Sequence, residues 1–412
     1  MKQKKLMLLG GVRYLLPVIE AAHKLGAYVI TVDYLPDNIA HTYSDEYVNV
    51  SIIDRDAVLN VAQEKQIDGI RSFGVDPGVV TAAYVAEKMG LSSPPLKSVE
   101  ILQNKDKFRD FLQSNGFNCP WHKGYTSKEE AINDFNHIEH VEHVDGRAFP
   151  VIVKPVDSAG SKGCKRVDSF DELSAAIDDA ISESHSGRFI IEQFLELVGR
   201  QTGSDCFSVD NELVYCTFGS QYFDVGAGND YAPIANVWPA IMPQSRQDEL
   251  RDEIKRLVKI LNLGTTILNV ETRVSTDGKA YIMEASPRGG GNRIAEVLRY
   301  ATNQDLIMAN VCAALGMNDL MKITAAKYDG AWAYYVLHSR KNGTLLTTAG
   351  IDADFKRSHV VELDEWFSPG DRVSAFTGAN QSLGTMILKF DSSKDAEQFL
   401  IAPEDWLSIN VA

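Results

Sequence analysis

Cysteine is scarce: Cys119, Cys164, Cys206, Cys216 and Cys312 lie scattered through 412 residues, with no CxxC pair. That excludes a disulfide framework and a cysteine-based zinc site, and it points to a reducing cytoplasm. Long apolar runs are missing too. None approaches the roughly 20 residues that cross a bilayer, so no membrane partner is expected. The basic start Met1-Lys-Gln-Lys-Lys is followed only by Leu6–Leu9 before Gly10-Gly11, too short for a signal-peptide core and better read as a first strand. A basic surplus is also absent. The formal charge is −15, which leaves nothing to neutralise phosphate backbones and excludes nucleic acid as a major partner. Internal repeats and low-complexity tracts do not occur.

The remaining composition, 44% hydrophobic and 24% charged, is that of a globular chain. Its length exceeds one ordinary domain. Residues 1–90 alternate strand and helix. Lys5–Leu9 reads as a strand, Val12–Leu25 as a helix stopped by Gly26, Tyr28–Val32 as a strand ending at Asp33, and Gly69–Phe73 as another. Asp76-Pro77 is a helix-start signal. This rhythm implies βαβ units and a parallel sheet. A dinucleotide fold is the competing reading, but Gly10-Gly11-Val12-Arg13-Tyr14-Leu15 lacks the GxGxxG spacing. Beyond Ser92-Ser93-Pro94-Pro95, residues 99–115 read as one helix carrying Lys105 and Lys107. Val151–Lys154 and Phe189–Phe194 read as strands, and Phe170–Ser184 as a helix. An antiparallel-looking tail begins near residue 320.

The most informative stretch runs from Asn269 to Arg288, where two β-rich arms flank Asp277-Gly278. Asp-Gly signals a two-residue type I′ hairpin turn. Counting outward from it sets Glu271 opposite Glu284, on one face and about 5 Å apart. Facing carboxylates repel, so the pair is either a solvated accident of register or a cation site. Mg²⁺ suits the second reading, because it takes one or two carboxylates and completes its shell with phosphates and water. Ser286-Pro-Arg288 and the glycine run up to Asn292 follow directly. They supply a planar guanidinium suited to phosphate and room for close backbone approach. Arg273 shares the face of Glu271 and could pair with it or with a substrate carboxylate.

A second phosphate-binding element is Lys154 at a strand end, followed by the small-residue segment Ser158-Ala-Gly160-Ser161-Lys-Gly163. Its backbone N–H groups and hydroxyls can turn towards an anion, although no Walker A pattern is present. Three further features have bland readings. His137, His140 and His143 suggest a solvated face rather than a metal site. His338 and Arg340 look like the polar end of a core strand rather than a substrate contact. Tyr222–Tyr231, rich in Gly and Asp, reads as a loop facing the substrate.

In order, Lys105, Val151-Ile-Val-Lys-Pro155 with its glycine-serine loop, Ile190-Ile-Glu-Gln-Phe-Leu195, Glu271 and Glu284-Ala-Ser-Pro-Arg288 resemble the ATP-grasp enzymes over residues 5–320. Residues 331–395 are similar to the carboxy-terminal region of the L-amino-acid ligase branch; carbamoyl-phosphate synthetase and biotin carboxylase share the ATP core. The resemblance implies an α/β chain in three parts. These are a Rossmann-like pre-ATP-grasp domain over residues 1–95, a two-lobed ATP-grasp domain over 96–320 with its lid near 120–195, and a β-rich extension over 321–412 completing that lobe. It implies ATP and Mg²⁺ (or Mn²⁺) as cofactors. Lys105 (Lys107 being the alternative) and Lys154 would meet the phosphates, and Ser158, Gly160, Ser161 and Gly163 would close over them. Glu192, Gln193, Phe194 and Leu195 would read adenine, largely through backbone groups. Glu271, Glu284 and Ser286 would ligate metal, with Ser286 standing where many members have Asn. Arg288, with Lys154, would act in catalysis, and Arg273 and Asn292 would meet substrate. Gln201 stands near the position of the usual ribose-binding acid. The implied reaction is carboxylate activation as an acyl phosphate, then amide formation with an amine. The partners are small carboxylates and amines, and a homodimer is compatible with the reading. The alternatives are a non-catalytic nucleotide binder and an ATP-dependent carboxylase or carbamoyl-phosphate-type enzyme.

Overall fold

Three sheets organise the parts of the chain that form the site, in a computed structural model that describes residues 3–136 and 148–412. The three histidines His137, His140 and His143 therefore lie outside the described residues. The first sheet is parallel and four-stranded, in the order Glu46–Asn49, Tyr28–Asp33, Lys5–Leu9 and Gly69–Ser72. Its central strand Lys5–Leu9 is buried from Leu6 onward, as expected of a parallel strand covered on both faces. The helix expected over Val12–Leu25 begins later. A short 3₁₀ turn, Arg13–Leu15, precedes Leu16–Lys24, with Pro17 in the first helical turn, where its missing N–H costs nothing.

The second sheet is antiparallel and four-stranded: His122–Tyr125, Phe189–Gln193, Val151–Pro155 and Lys165–Val167. Helices Lys128–Phe135 and Phe170–Ser182 pack with it around Tyr125, Phe135, Val151, Val153, Phe189 and Ile191. The third sheet has nine strands. Its edge hairpin, Thr266–Val274 with Ala280–Ser286, pairs onto Thr202–Val209, and the path continues through Ser220–Phe223, Pro233–Trp238 and Ala331–Leu337. Strands from both sides of residue 320 thus share one sheet. Helix Gln244–Ile260 buries Leu250, Ile254, Leu257 and Val258 against it, at the three- and four-residue spacing of an amphipathic face. No helix among the described residues is long and apolar enough to cross a membrane.

Candidate active site

Alternation along Val151–Pro155 decides which side chains reach the cleft. Val151 and Val153 enter the core, so Ile152 and Lys154 face the other way. On the neighbouring strand Phe189 and Ile191 enter the same core, and Glu192 turns towards Lys154. Lys154 Nζ lies 2.9 Å from Glu192 Oε2, and Arg109 Nε lies 3.1 Å from Oε1. The Glu192 side chain is wholly buried. Burial would raise its carboxyl, but the charges of Arg109 and Lys154 outweigh that and bring it down to about 2. Glu192 is therefore a buried counter-ion, and its side chain is not available to a base. The N–H groups of Gln193 and Phe194 are also engaged, by the carbonyls of Trp121 and Pro150 at 2.9 and 3.2 Å.

The helix expected over 99–115 is two helices, Leu96–Leu102 and Lys105–Ser114. Asn104 is extended (φ −119°, ψ 115°), and its amide returns to the Glu100 carbonyl at 2.9 Å. Lys105 N–H then donates to the Val156 carbonyl at 2.9 Å, an acceptor just past strand Val151–Pro155 rather than in the preceding turn. The break starts a new helix at Lys105, whose ammonium donates to the Ser158 carbonyl at 2.7 Å. Arg109 follows at i+4 on the same helix face.

The hairpin does not close as its Asp-Gly suggests. Ser275 N–H donates to the Lys279 carbonyl at 3.0 Å, and Gly278 N–H to the Ser275 carbonyl at 2.9 Å. Thr276, Asp277 and Gly278 all belong to the loop, with Gly278 left-handed at φ 80°. That shifts the ladder by one, to Val274↔Ala280 and Thr272↔Ile282, until a bulge at Met283 shifts it back. Beyond the bulge Glu271 faces Glu284. The expected pair is present, but by a different route. Burial and the neighbouring Glu284 push the Glu271 carboxyl up, to about 7. The amides of Gln201 and Gln221 hold its two oxygens at 3.3 and 3.4 Å. Arg273 is not hydrogen-bonded to Glu271. It donates to the Leu195 carbonyl at 3.0 Å and to Gln201 Oε1 at 2.6 Å, bracing the amide that holds Glu271.

One cavity of about 280 Å³ is lined by Lys105, Lys154, Ser158, Gly160, Ser161, Glu192, Gln193, Phe194, Leu195, Glu271, Arg273 and Glu284. Ser161 Oγ donates to the Tyr231 carbonyl at 3.1 Å, so the glycine-serine loop rests on the Asp-Gly-rich loop. Other candidates fall outside its lining. Gly163, left-handed at φ 65°, borders a neighbouring groove. The Arg288 fork is engaged by Asp76, with Nε and Nη2 at 2.8 and 2.7 Å from its two oxygens. Ser286 Oγ donates to the same carboxylate at 3.1 Å and accepts from Gln103 at 2.8 Å, so its hydroxyl is committed before any metal. Asn292 Oδ1 accepts from Tyr14 at 2.7 Å. Arg109, Gln221 and Gln103 are not among the expected site residues, and Asp76 is expected only as a helix start. Only Arg109, one helical turn beyond Lys105, left a usable signal in the sequence.

Part of the glycine run makes room for neighbouring protein. A Cβ on Gly289 would lie 2.2 Å from the Phe73 ring, and Gly290 N–H donates to Asp205 at 2.9 Å. Gly289→Ala should therefore destabilise the chain by roughly 2–3 kcal/mol through overpacking. Denaturant unfolding should show this as a lowered midpoint with an unchanged slope.

Two carboxylates facing across a hairpin, two lysines and a small-residue loop around one cleft define the ATP-grasp class of protein. Residues 111–315 match the family described as the D-ala D-ala ligase C-terminus. The chain belongs to the ATP-grasp superfamily. Its fold is similar to the L-amino acid ligase of Bacillus licheniformis, with a TM-score of 0.79, 19% identity and 100% of each chain covered. It is also similar to the biotin carboxylase domain of Hydrogenobacter thermophilus 2-oxoglutarate carboxylase, solved with MgADP and bicarbonate. There the TM-score is 0.74 and the identity 14%, covering 99% of this chain and 91% of that one. In sequence it is 26% identical over 64% of its length to the carbamoyl phosphate synthase large chain of Thermotoga petrophila, of which it spans 23%. The chain thus covers about a quarter of such curated relatives, for example 24% of the Clostridium beijerinckii large chain.

Proposed function

We propose that this chain is an ATP-dependent ligase that activates a carboxylate as an acyl phosphate and joins it to an amine, possessing the domains 1–95, 96–320 and 321–412 described above and working in the cytoplasm. The observation that carries this is Glu271 facing Glu284 in the cavity that Lys105 and Lys154 also line. Two facing carboxylates fit a cation that completes its shell with phosphate oxygens and water, as Mg²⁺ does. Held there, the ion would neutralise phosphate charge.

The chain's own groups do the rest. Lys105 and Lys154 bind and orient the phosphates, and Ser158, Gly160 and Ser161 offer backbone and hydroxyl donors over them. Leu195 N–H, just past the end of its strand, is the group of that segment that meets the base. Arg288, held by Asp76, faces charge developing on the transferring phosphoryl group. Loop closure between Ser161 and Tyr231 keeps water from the acyl phosphate.

A second reading is favoured by the carbamoyl phosphate synthase relatives and by the carboxylase solved with bicarbonate. In it bicarbonate is the oxyacid activated, and the first step is otherwise the same. The test is phosphate release from MgATP over pairs of amino acids and small carboxylates, with and without bicarbonate. ADP formation that needs both an organic carboxylate and an amine supports the ligase. Dependence on bicarbonate supports the second reading. No release across the panel sinks both.

A further inference from the structure

Independently of the nucleotide reading, we infer that the chain carries a buried site for a single halide ion at the Arg71 guanidinium. Arg71 stands on strand Gly69–Ser72 at the edge of the parallel sheet, and every residue of that strand is buried. Arg71 itself is 6% exposed. A guanidinium carries five N–H donors and keeps its charge at neutral pH. Nη1 donates to the Ile70 carbonyl at 2.9 Å and to the Ser92 carbonyl at 2.7 Å. Nε and Nη2 have no hydrogen-bond partner among the described residues. Burial alone moves the ionisation of Arg71, down to about 10, with no carboxylate acting on it. The other buried arginines differ: Arg109 meets Glu192 and Arg288 meets Asp76. Arg71 is thus a buried cation with spare donors and no counter-charge, a costly arrangement unless something is bound there.

Arg71 lines a cavity of about 20 Å³, room for one guest the size of a single atom and too little for a carboxylate or a phosphate. The other polar side chains of its lining are Ser72 and Ser93, whose hydroxyls already donate to the Val75 and Pro94 carbonyls at 2.5 and 3.1 Å. Val79, Ala82, Val99 and Pro287 give apolar walls. A water there would receive donors from Arg71 but find few acceptors, and it would leave the charge uncompensated. A halide needs no acceptor and supplies the missing charge. Nε and Nη2 lie on one edge of the guanidinium plane, so their parallel N–H bonds can converge on one ion. Because Pro287 precedes Arg288, that ion would also join the parallel sheet to the segment carrying Arg288.

Two measurements on the full chain test this. Crystals soaked in sodium bromide should show an anomalous bromide peak within hydrogen-bond reach of Arg71 Nε and Nη2. Thermal unfolding at equal ionic strength should give a midpoint about 2 °C or more higher in sodium chloride or bromide than in sodium gluconate, whose anion is too large for the cavity. Arg71→Met keeps the length of the side chain and removes a charge that is costly to bury, so it should fold and should lose that difference. If that variant does not fold, Arg71→Gln takes its place. The inference is overturned if no bromide is found at Arg71, or if parent and variant respond to chloride alike. A bromide peak with no halide dependence of the parental midpoint means an adventitious ion only, and overturns it as well.

Discussion

Glu284→Ala should abolish ATP turnover while leaving the protein at least as stable as the parent. Burial and the facing Glu284 raise the cost of ionising Glu271, whose carboxyl is pushed up to about 7. Removing Glu284 relieves that repulsion, so without Mg²⁺ the variant should melt no lower than the parent, and by up to about 1 kcal/mol higher. A metal ion neutralising transferring phosphate lowers the barrier by several kcal/mol. Its loss should therefore lower kcat by about 10³-fold or more. Mg²⁺ with ADP should raise the melting temperature of the parent, because a ligand bound only by the folded state stabilises it, and should do so far less for the variant. The pairing of opposite signs, activity lost and metal-free stability kept, separates a functional liability from a structural residue. A variant that still releases ADP near the parental rate would sink the assignment of the pair.

The same pair shows how far local sequence rules reach. Asp277-Gly278 announces a turn between two strand-like arms, and a turn is there. Its length is decided by whether Thr276 joins the loop, which it does, and the resulting slip is reversed by a bulge at Met283 that no local pattern announces. A bulge is an adjustment between strands and their surroundings, here within reach of Arg109, which donates to the Met283 carbonyl at 2.9 Å. The helix break before Lys105 was hidden for a similar reason. Asn104 tolerates both helical and extended backbone, and the acceptor that decides the matter, the Val156 carbonyl, arrives from beyond strand Val151–Pro155.

Electrostatic partnerships were the least legible. Lysine, arginine and paired glutamates could be named as phosphate and metal chemistry because the residue types carry the chemistry. Their counter-ions could not, because they come from distant chain positions: Asp76 reaches Arg288 across 212 residues, and Glu192 reaches Arg109 across 83. At the glycine run, small size at Gly289 accommodates the Phe73 ring, a neighbour that residue type does not announce. A glycine reports that something comes close, not what it is.

Glu192→Gln should be the most destabilising of the substitutions considered, by about 3–5 kcal/mol at neutral pH, because it leaves buried cations without their counter-charge. Arg109 bears most of that cost. Its side chain is 2% exposed and cannot turn to water, whereas Lys154, at 12%, borders the cavity and can relax into it. The pH dependence gives a second readout. The folded-state carboxyl of Glu192 lies at about 2, below its ordinary value of 4.5. Its contribution is therefore complete above pH 4.5 and lost as pH falls towards 2. The gap between parent and Gln variant, measured by denaturant unfolding, should be widest at neutral pH and should narrow through that acid window. A gap that stays constant from neutral pH down to pH 3 would mean that glutamine is penalised for its shape and not for its missing charge. If instead the gap is under about 1 kcal/mol at neutral pH, Arg109 finds another partner and the buried triad is not what holds strand Phe189–Gln193 to the helix at Lys105.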